Sequence, residues 1–194
     1  FPPRELDRFD WVRLVPGGSS IREGAYVGRG VVCMPPMFIN VGAYVDEGTL
    51  VDSHALVGAC AQIGKHVHIS AGAQIGGVLE PVEALPVIIE DRVLVGGNCG
   101  VYEGTLVKKE AFLSAGTVLT RSTPVFDLVN EMVLRGTAEQ PLVIPRGAVV
   151  APGSRPAEGR FASREGLHLY APVIVKYRDP GTEASEGLGD AVEA

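Results

Sequence analysis

The sequence predicts an all-β fold, a parallel β-helix of triangular section, from three observations. Aliphatic residues recur at every sixth position, small residues recur four places after them, and opposite charges recur eighteen residues apart. The first aliphatic run is Val15, Ile21, Val27, Cys33, Ile39, Val45, Val51, Val57, Ile63, Ile69 and Ile75. The second is Ile89, Val95, Val101, Val107, Leu113, Leu119 and Val125. A period of six is neither the 3.6 of a helix nor the strict alternation of a two-sided sheet. It suits a chain that turns a corner after each short strand, with three strands closing one coil. The eighteen hexads then make about six coils, stacked at roughly 4.8 Å with their aliphatic side chains inward.

The corner residues follow from the same frame. Ser19, Ala25, Val31, Ala43, Thr49, Ala55, Ala61, Val67 and Ala73 are small enough to sit where the chain bends, and Met37 is the exception. Residues eighteen apart should be neighbours on adjacent coils. The charges agree: Glu47 meets Lys65, Glu90 meets Lys108, Asp91 meets Lys109, and Glu103 meets Arg121. Each exposed pair is worth no more than ~1 kcal/mol, so these pairs mark register more than they supply stability.

The phase breaks once. Gly76-Gly77-Val78-Leu79-Glu80-Pro81-Val82-Glu83-Ala84-Leu85-Pro86 is expected to leave the coil as an extruded loop, because its prolines and glycine pair oppose a continuing ladder. An apolar loop of this kind needs cover from a neighbouring subunit or a ligand. After Val125 the hexads fade. The stretch Leu167-His168-Leu169-Tyr170-Ala171-Pro172-Val173-Ile174-Val175-Lys176-Tyr177 reads as a strand able to cap the open end. The expected organisation is a lead-in over 1–12, a β-helix over 13–126 with its loop at 76–88, a small β cap over 127–178, and an acidic tail over 179–194. Phe1-Pro2-Pro3 is not an initiator start, so a preceding portion is expected to be missing.

Composition excludes several classes. With 46% hydrophobic residues in 194, the chain is not wholly disordered, and 25 Gly and 14 Pro with 6% aromatics suit short strands and tight turns. No apolar run reaches the ~18 residues of a membrane span, and no signal peptide is visible. Cys33, Cys60 and Cys99 are odd in number and lack metal-ligand spacing, which points to a reducing, cytoplasmic setting rather than a disulfide framework. The formal charge of −6 argues against nucleic acid as a partner. That charge is local: without Asp179, Glu183, Glu186, Asp190 and Glu193 of the tail, the remainder carries −1.

A packed β-helix has no internal cavity, so chemistry belongs to its outer faces or to the space between subunits. His66 and His68 are two apart with His54 nearby, yet an isolated pair is equally the pattern of solvated histidines, and no metal site is expected. Gly76-Gly77 and Gly96-Gly97 open no helix, so no nucleotide fingerprint is present. Asp52 follows the inward Val51 and lies eighteen residues before Ser70. A carboxylate stacked on a hydroxyl can orient an amine and take its proton. An exposed corner Asp is the plainer alternative.

The segments VDEGTLVD (45–52), GACAQIGK (58–65) and GGVLEP (76–81) are far more specific than hexads. With Pro86–Val107, Ser122-Thr123 and LYAPVIVK (169–176), they make the chain resemble the tetrahydrodipicolinate N-succinyltransferases over roughly residues 12–178. The resemblance implies a left-handed β-helix and an enzyme of diaminopimelate and lysine biosynthesis. That enzyme transfers succinyl from succinyl-CoA to the amino group of 2-amino-6-oxopimelate. It also implies a homotrimer with active sites in grooves between subunits, no covalently bound cofactor, and no nucleic-acid or membrane partner.

Carried over residue by residue, the resemblance implies Arg13 and Asp52 as acceptor ligands, with Ser70 stacked beside them. Asp52 is the expected base, with His54 beside it and Glu103 at a matching acidic position. Along the groove Gly97 and Ala115 are expected to line the CoA arm, and Arg121 and Lys176 to meet its phosphates. Lys108 and Lys109 already have acidic partners. Two departures matter: a second family carboxylate aligns with Gly100, and the family's helical N-terminal domain would end before this sequence starts. Two rivals therefore stand beside the succinyl reading. One is an acetyl-CoA-dependent enzyme at the same step, and the other is a non-catalytic oligomeric β-helix.

Overall fold

The computed structural model describes residue 2, residues 11–78 and residues 84–178. Within them the hexads become two-residue strands joined by short turns. Each strand has one outward and one inward residue, and the small residue just before it is buried at the bend. Face one carries Arg13–Leu14, Val32–Cys33, Leu50–Val51, His68–Ile69, Leu94–Val95, Phe112–Leu113 and Ala148–Ala151. Face two carries Ser20–Ile21, Phe38–Ile39, Leu56–Val57, Gln74–Ile75, Gly100–Val101 and Val118–Leu119. Face three carries Tyr26–Val27, Tyr44–Val45, Gln62–Ile63, Ile88–Ile89, Leu106–Val107 and Val143–Ile144. All three faces are parallel, which is the β-helix of about six coils that the period predicts.

The inward ladders are dry. On face two Ile21, Ile39, Val57, Ile75, Val101 and Leu119 are all 0% exposed. At the bends Ala25, Ala43, Ala55, Ala61 and Ala73 are buried as expected, and so is Met37. Three bends hold threonine instead, and each buried hydroxyl finds a carbonyl. Thr49 donates to Gly64 at 2.8 Å, Thr105 to Tyr102 at 2.7 Å and Thr117 to Ser114 at 2.7 Å. A buried hydroxyl without such a partner costs about 1–3 kcal/mol.

The extrusion does not slip the register. Ile63 pairs with Ile89, His68 with Leu94 and Gln74 with Gly100, so the chain before and after the loop shares one set of rungs. Residues 79–83 of the loop lie outside the described residues. Its flank Gly76-Gly77-Val78 leaves along the preceding coil, with the Val78 N–H donating to Ala59 O at 2.9 Å.

Charges confirm the coil length with one difference. Lys65–Glu47 at 2.8 Å, Lys108–Glu90 at 3.0 Å and Lys109–Asp91 at 3.0 Å form as expected. Glu103 instead accepts the backbone N–H of Arg121 at 3.1 Å, and no ion pair joins the two side chains. A further eighteen-residue pair, Arg92–Glu110, extends through Arg146, which meets Glu110 at 2.8 Å. Glu47, Asp91 and Glu110 are held below the ordinary carboxylate range: Glu47 chiefly by its hydrogen bond from Lys65, Asp91 by that from the Lys65 backbone N–H, and Glu110 by those from Arg92 and Arg146.

Three expectations need correction. The ladder begins at Leu14, which pairs with Cys33 and packs against the core, and not at Val15. The cause is one extra residue in the Pro16-Gly17-Gly18 turn, where both glycines have positive φ. Val125 does not stack on Val107, because Ile144 takes that place. Val125–Asp127 instead forms a hairpin with Met132–Leu134. The strand expected over 167–177 is two strands, His168–Tyr170 and Val173–Tyr177, interrupted at Ala171-Pro172. The first pairs with Ser154–Pro156 across the short helix Arg160–Glu165. The second lies between Ala148–Ala151 and Val125–Asp127.

That last strand is tied down by a buried carboxylate. Asp127 is 2% exposed and its Oδ1 accepts the N–H groups of Val129 and Asn130, each at 3.0 Å. Its Oδ2 accepts from the Tyr177 hydroxyl and from Asn130 Nδ2. Burial opposes the charge, but these hydrogen bonds outweigh it and keep the carboxyl below its ordinary value. Burial, with the adjacent Asp127 charge, pushes the Tyr177 phenol up to about 12.

Two predictions follow from this packing. Val51→Ala removes a fully buried rung and should cost ~1–3 kcal/mol in chemical denaturation. The second concerns pH. Asp127 has a lower pKa folded than unfolded, so its contribution is complete above the unfolded value and lost as pH falls through the folded one. Tyr177 has a raised pKa, so its contribution is complete below the ordinary value of 10 and lost as pH rises through about 12. Melting curves of the parent and Tyr177→Phe should therefore converge over that alkaline interval. A constant difference between them across it would contradict the assignment.

Candidate functional site

The vertex between faces one and two gathers most of the residues singled out by sequence. After the face-one strands Leu50–Val51, His68–Ile69, Leu94–Val95 and Phe112–Leu113, three residues turn the corner: 52–54, 70–72, 96–98 and 114–116. The third adopts a left-handed backbone, with φ of 61° at His54, 70° at Gly72, 55° at Asn98 and 77° at Gly116. Its N–H then points back at the previous coil. Gly72 donates to Ser53 O at 2.9 Å, Asn98 to Ala71 O at 3.0 Å and Gly116 to Gly97 O at 2.9 Å.

These turns stack like with like. The ladder Val51–Ile69 places Asp52 and Ser70 on successive coils, about 4.8 Å apart along the axis. Gly97 and Ala115 follow on the same vertex, one and two coils beyond Ser70. Asp52 is half-buried, with Oδ1 accepting the Ser53 N–H at 2.7 Å. That bond orients the carboxylate and leaves its second oxygen without a partner among the described residues. His54 is exposed, and its carbonyl accepts from Gln74 Nε2 at 3.4 Å. No hydrogen bond joins His54 to Asp52 among the described residues, so they are neighbours on one corner rather than a hydrogen-bonded dyad.

Beside His54, face two forms an apolar basin of about 340 Å³, lined by Ser20, Pro36, Phe38, His54, Leu56 and Gln74 among others. It offers a few polar groups on an otherwise apolar floor, as small-molecule sites commonly do.

The remaining candidates lie elsewhere. Arg13 is exposed on face one, two coil steps or about 10 Å along the axis from Asp52's strand. Glu103 and Arg121 occupy the next vertex, between faces two and three. They line a cleft of about 270 Å³ between Leu85 at the loop's return and Gln140-Pro141. An overlapping cleft of about 500 Å³ adds Ser122, Gly136 and Thr137. Lys176 is half-buried in the strand beside Val149, at the far end of face one from Arg13. A single chain thus unites Asp52, His54, Ser70, Gly97 and Ala115, and separates them from Arg13, Glu103–Arg121 and Lys176.

Other chemistries find little purchase. His66 sits in a left-handed turn and His68 on a strand, so the pair does not share a strand face. Among the described residues no three of His, Cys, Asp and Glu are placed to hold a metal ion. Burial pushes the Cys33 thiol up to about 12 and raises that of Cys99, which leaves both as protonated core residues rather than nucleophiles.

Sequence reasoning missed Tyr102. Its ring lies back across face two over Gly76 and Gly100, where no side chains stand. A Cβ on Gly100 would come within 2.5 Å of Tyr102 Cε2, and one on Gly76 within 2.9 Å of Cδ1. The signal was present, because Gly76 and Tyr102 share a rung once the extrusion is counted, but it is invisible to a strict eighteen-residue offset. It also explains position 100: a carboxylate side chain there is incompatible with the ring where it lies.

Comparison with known proteins places this architecture. Residues 86–121 match the family model described as hexapeptide repeat of succinyl-transferase. The acetyltransferase domain of PglB from Neisseria gonorrhoeae superposes with a TM-score of 0.55 at 21% identity, over 72% of this chain and 54% of that one. Fold and repeat together define a hexapeptide-repeat β-helix. More specifically, the chain is 45% identical over 182 residues to the 2,3,4,5-tetrahydropyridine-2,6-dicarboxylate N-succinyltransferase of Idiomarina loihiensis. That match covers 93% of this chain and 61% of that protein. The enzyme of the same name from Acinetobacter baylyi is 43% identical over 184 residues, 94% of this chain and 62% of that protein. The likeness carried by the short motifs therefore extends over nearly the whole chain, which spans about three fifths of the length of these relatives.

Proposed function

We propose that the chain is the β-helical part of a succinyl-CoA-dependent N-acyltransferase. It would act on the amino group of 2-amino-6-oxopimelate, the open form of tetrahydrodipicolinate, in diaminopimelate and lysine biosynthesis. The observation that carries this reading is the 45% identity across nearly the whole chain, with the VDEGTLVD segment ending at a vertex-borne Asp52.

The chemistry asks for little machinery. The acceptor amine attacks the thioester carbonyl carbon, a C–N bond forms, and the C–S bond breaks with its electron pair leaving on sulfur. The amine must shed a proton, and Asp52, with one oxygen held by Ser53 N–H and the other open, is oriented to take it. His54 on the same corner is the alternative acceptor of that proton. Ser70 stands one coil away as a hydrogen-bonding group for the acceptor. The CoA arm, extended along the vertex, would pass Gly97 and Ala115, whose lack of bulk keeps the backbone approachable. Arg121 and Lys176 would meet the phosphates.

Arg13 is the ligand for an acceptor carboxylate that one chain does not bring to Asp52. A homotrimer with grooves between adjacent β-helices would let two subunits share the set. The setting is the cytoplasm, where CoA thioesters are made and used. No helix among the described residues is long and apolar enough to cross a membrane.

Asp52→Asn keeps shape and loses basicity. Turnover should fall by at least ~10²-fold in a coupled assay of CoA release, while CoA binding and melting temperature change little. Near-normal turnover would make Asp52 a solvated corner residue. The acyl donor is tested by comparing succinyl-CoA with acetyl-CoA, and equal or better use of acetyl-CoA would reassign the donor. Sedimentation should give a trimer at micromolar concentration, and a monomer would remove the shared site.

A further inference from the structure

We propose that Tyr102 is a catalytic hydrogen-bond donor, its phenol held over face two to bind the thioester carbonyl oxygen as negative charge builds on it. This rests on the acyl-transfer reading above.

The placement is built rather than incidental. Tyr102 begins at the vertex between faces two and three, and its side chain runs back across the strand toward the Asp52 vertex. Two glycines make the bed. A Cβ on Gly100 would stand 2.5 Å from Cε2 and 2.9 Å from the hydroxyl, and a Cβ on Gly76 would stand 2.9 Å from Cδ1. Neither glycine has the positive φ that would demand glycine for backbone reasons. It is the ring that excludes side chains there.

The hydroxyl also differs from those of Tyr170 and Tyr177, which are hydrogen-bonded. Tyr170 accepts the Val118 N–H at 2.6 Å, Tyr177 donates to Asp127, and Tyr26 and Tyr44 stack on each other with ring centres 4.6 Å apart. The Tyr102 hydroxyl makes no hydrogen bond to any described residue, although its ring is half-buried. It lies over Gly100 in the outward row Leu56–Gln74–Gly100–Val118, one rung from Gln74, which lines the apolar basin beside His54. A fixed, unspent donor on an apolar surface suits an oxygen that gains charge during reaction, since it needs no reorganisation at that moment.

In the step itself Tyr102 keeps its proton. The amine proton goes to an Asp52 carboxylate reached across a subunit groove, because within one chain Asp52 stands two coil steps, about 10 Å along the axis, from the strand that carries Tyr102. The C–S electron pair leaves on sulfur, and the phenol shares its hydrogen with the carbonyl oxygen while the carbon is tetrahedral.

The test uses Tyr102→Phe, which keeps the ring on its glycine bed and removes only the donor. We expect kcat to fall by roughly 10²-fold, with KM for succinyl-CoA and the melting temperature unchanged. The carbonyl stretch of bound succinyl-CoA, labelled with ¹³C at the thioester carbon, should lie at lower frequency in the parent than in the variant. Gly100→Ala, which pushes the ring off its bed, should reproduce both effects in a folded protein. A variant kcat within about twofold of the parent, with an unchanged carbonyl band, would overturn the proposal. A parent that shows the Tyr102-dependent band shift but transfers nothing to the amine would sustain Tyr102 as a thioester ligand and overturn the N-acyl-transfer reading. A parent that neither binds nor turns over succinyl-CoA would overturn both.

Discussion

Everything in this molecule depends on one constraint: an aliphatic side chain must arrive at the same inward point every sixth residue, on top of its equivalent in the coil below. The ladders Ile21–Ile39–Val57–Ile75–Val101–Leu119 and Val51–Ile69–Val95–Leu113 are what that constraint produces. It forces a turn between every pair of strands, and the turn is paid for in backbone strain. Left-handed φ at non-glycine residues costs on the order of 1–2 kcal/mol each, and here His54, Cys60, His66, Arg92, Asn98 and Glu110 all adopt it. Each of these residues donates its N–H to a carbonyl of the preceding coil, for example Arg92 to Lys65 O at 2.8 Å and Glu110 to Asp91 O at 3.0 Å. The strained residue is thus also a coil-to-coil rung, which offsets its cost.

The period made the architecture legible because it reports the constraint directly. It could not resolve its own ends. Leu14 and Val15 are adjacent and both aliphatic, so spacing cannot choose between them when the Pro16-Gly17-Gly18 turn absorbs one extra residue. Val125 is in phase, yet Pro124 just before it has no N–H to give a following coil, and the chain departs. Ile144 then completes face three from nineteen residues further along the chain. The Asp127–Tyr177–Asn130 network that fastens this cap joins residues fifty apart in sequence with no period to announce them.

The same reasoning divides the candidate site. Asp52 over Ser70, and Gly97 before Ala115, were legible because stacking at one coil length is a property of the sequence alone. Glu103 and Arg121 were legible as neighbours but not as a backbone contact beside a cleft, since side-chain direction at a turn is not written in the spacing. Arg13 was reached only through resemblance. Its distance from Asp52 reflects a general property of solenoids: groups on different coils of one chain stay apart by fixed multiples of the rung spacing, and only a second surface can bring them together.

Position 100 shows how such a surface changes its chemistry without disturbing its core. Outward residues are not part of the buried aliphatic ladders, so position 100 is less constrained than the fully buried Val101. Read alone, a glycine there looks like a lost functional group. With Tyr102 folded back over it and over Gly76, the three positions are one unit, because a side chain at either glycine and the ring as placed are mutually exclusive. Under the proposed acyl transfer, a charged acceptor group and a neutral phenol donor would be different answers to what a reacting thioester needs from that face. The first suits managing a proton, and the second suits stabilising an oxygen. Under that proposal, an Asp52 brought across a subunit groove would take the proton, a phenol donor at this place would add what that vertex lacks, and the face need not supply a second base.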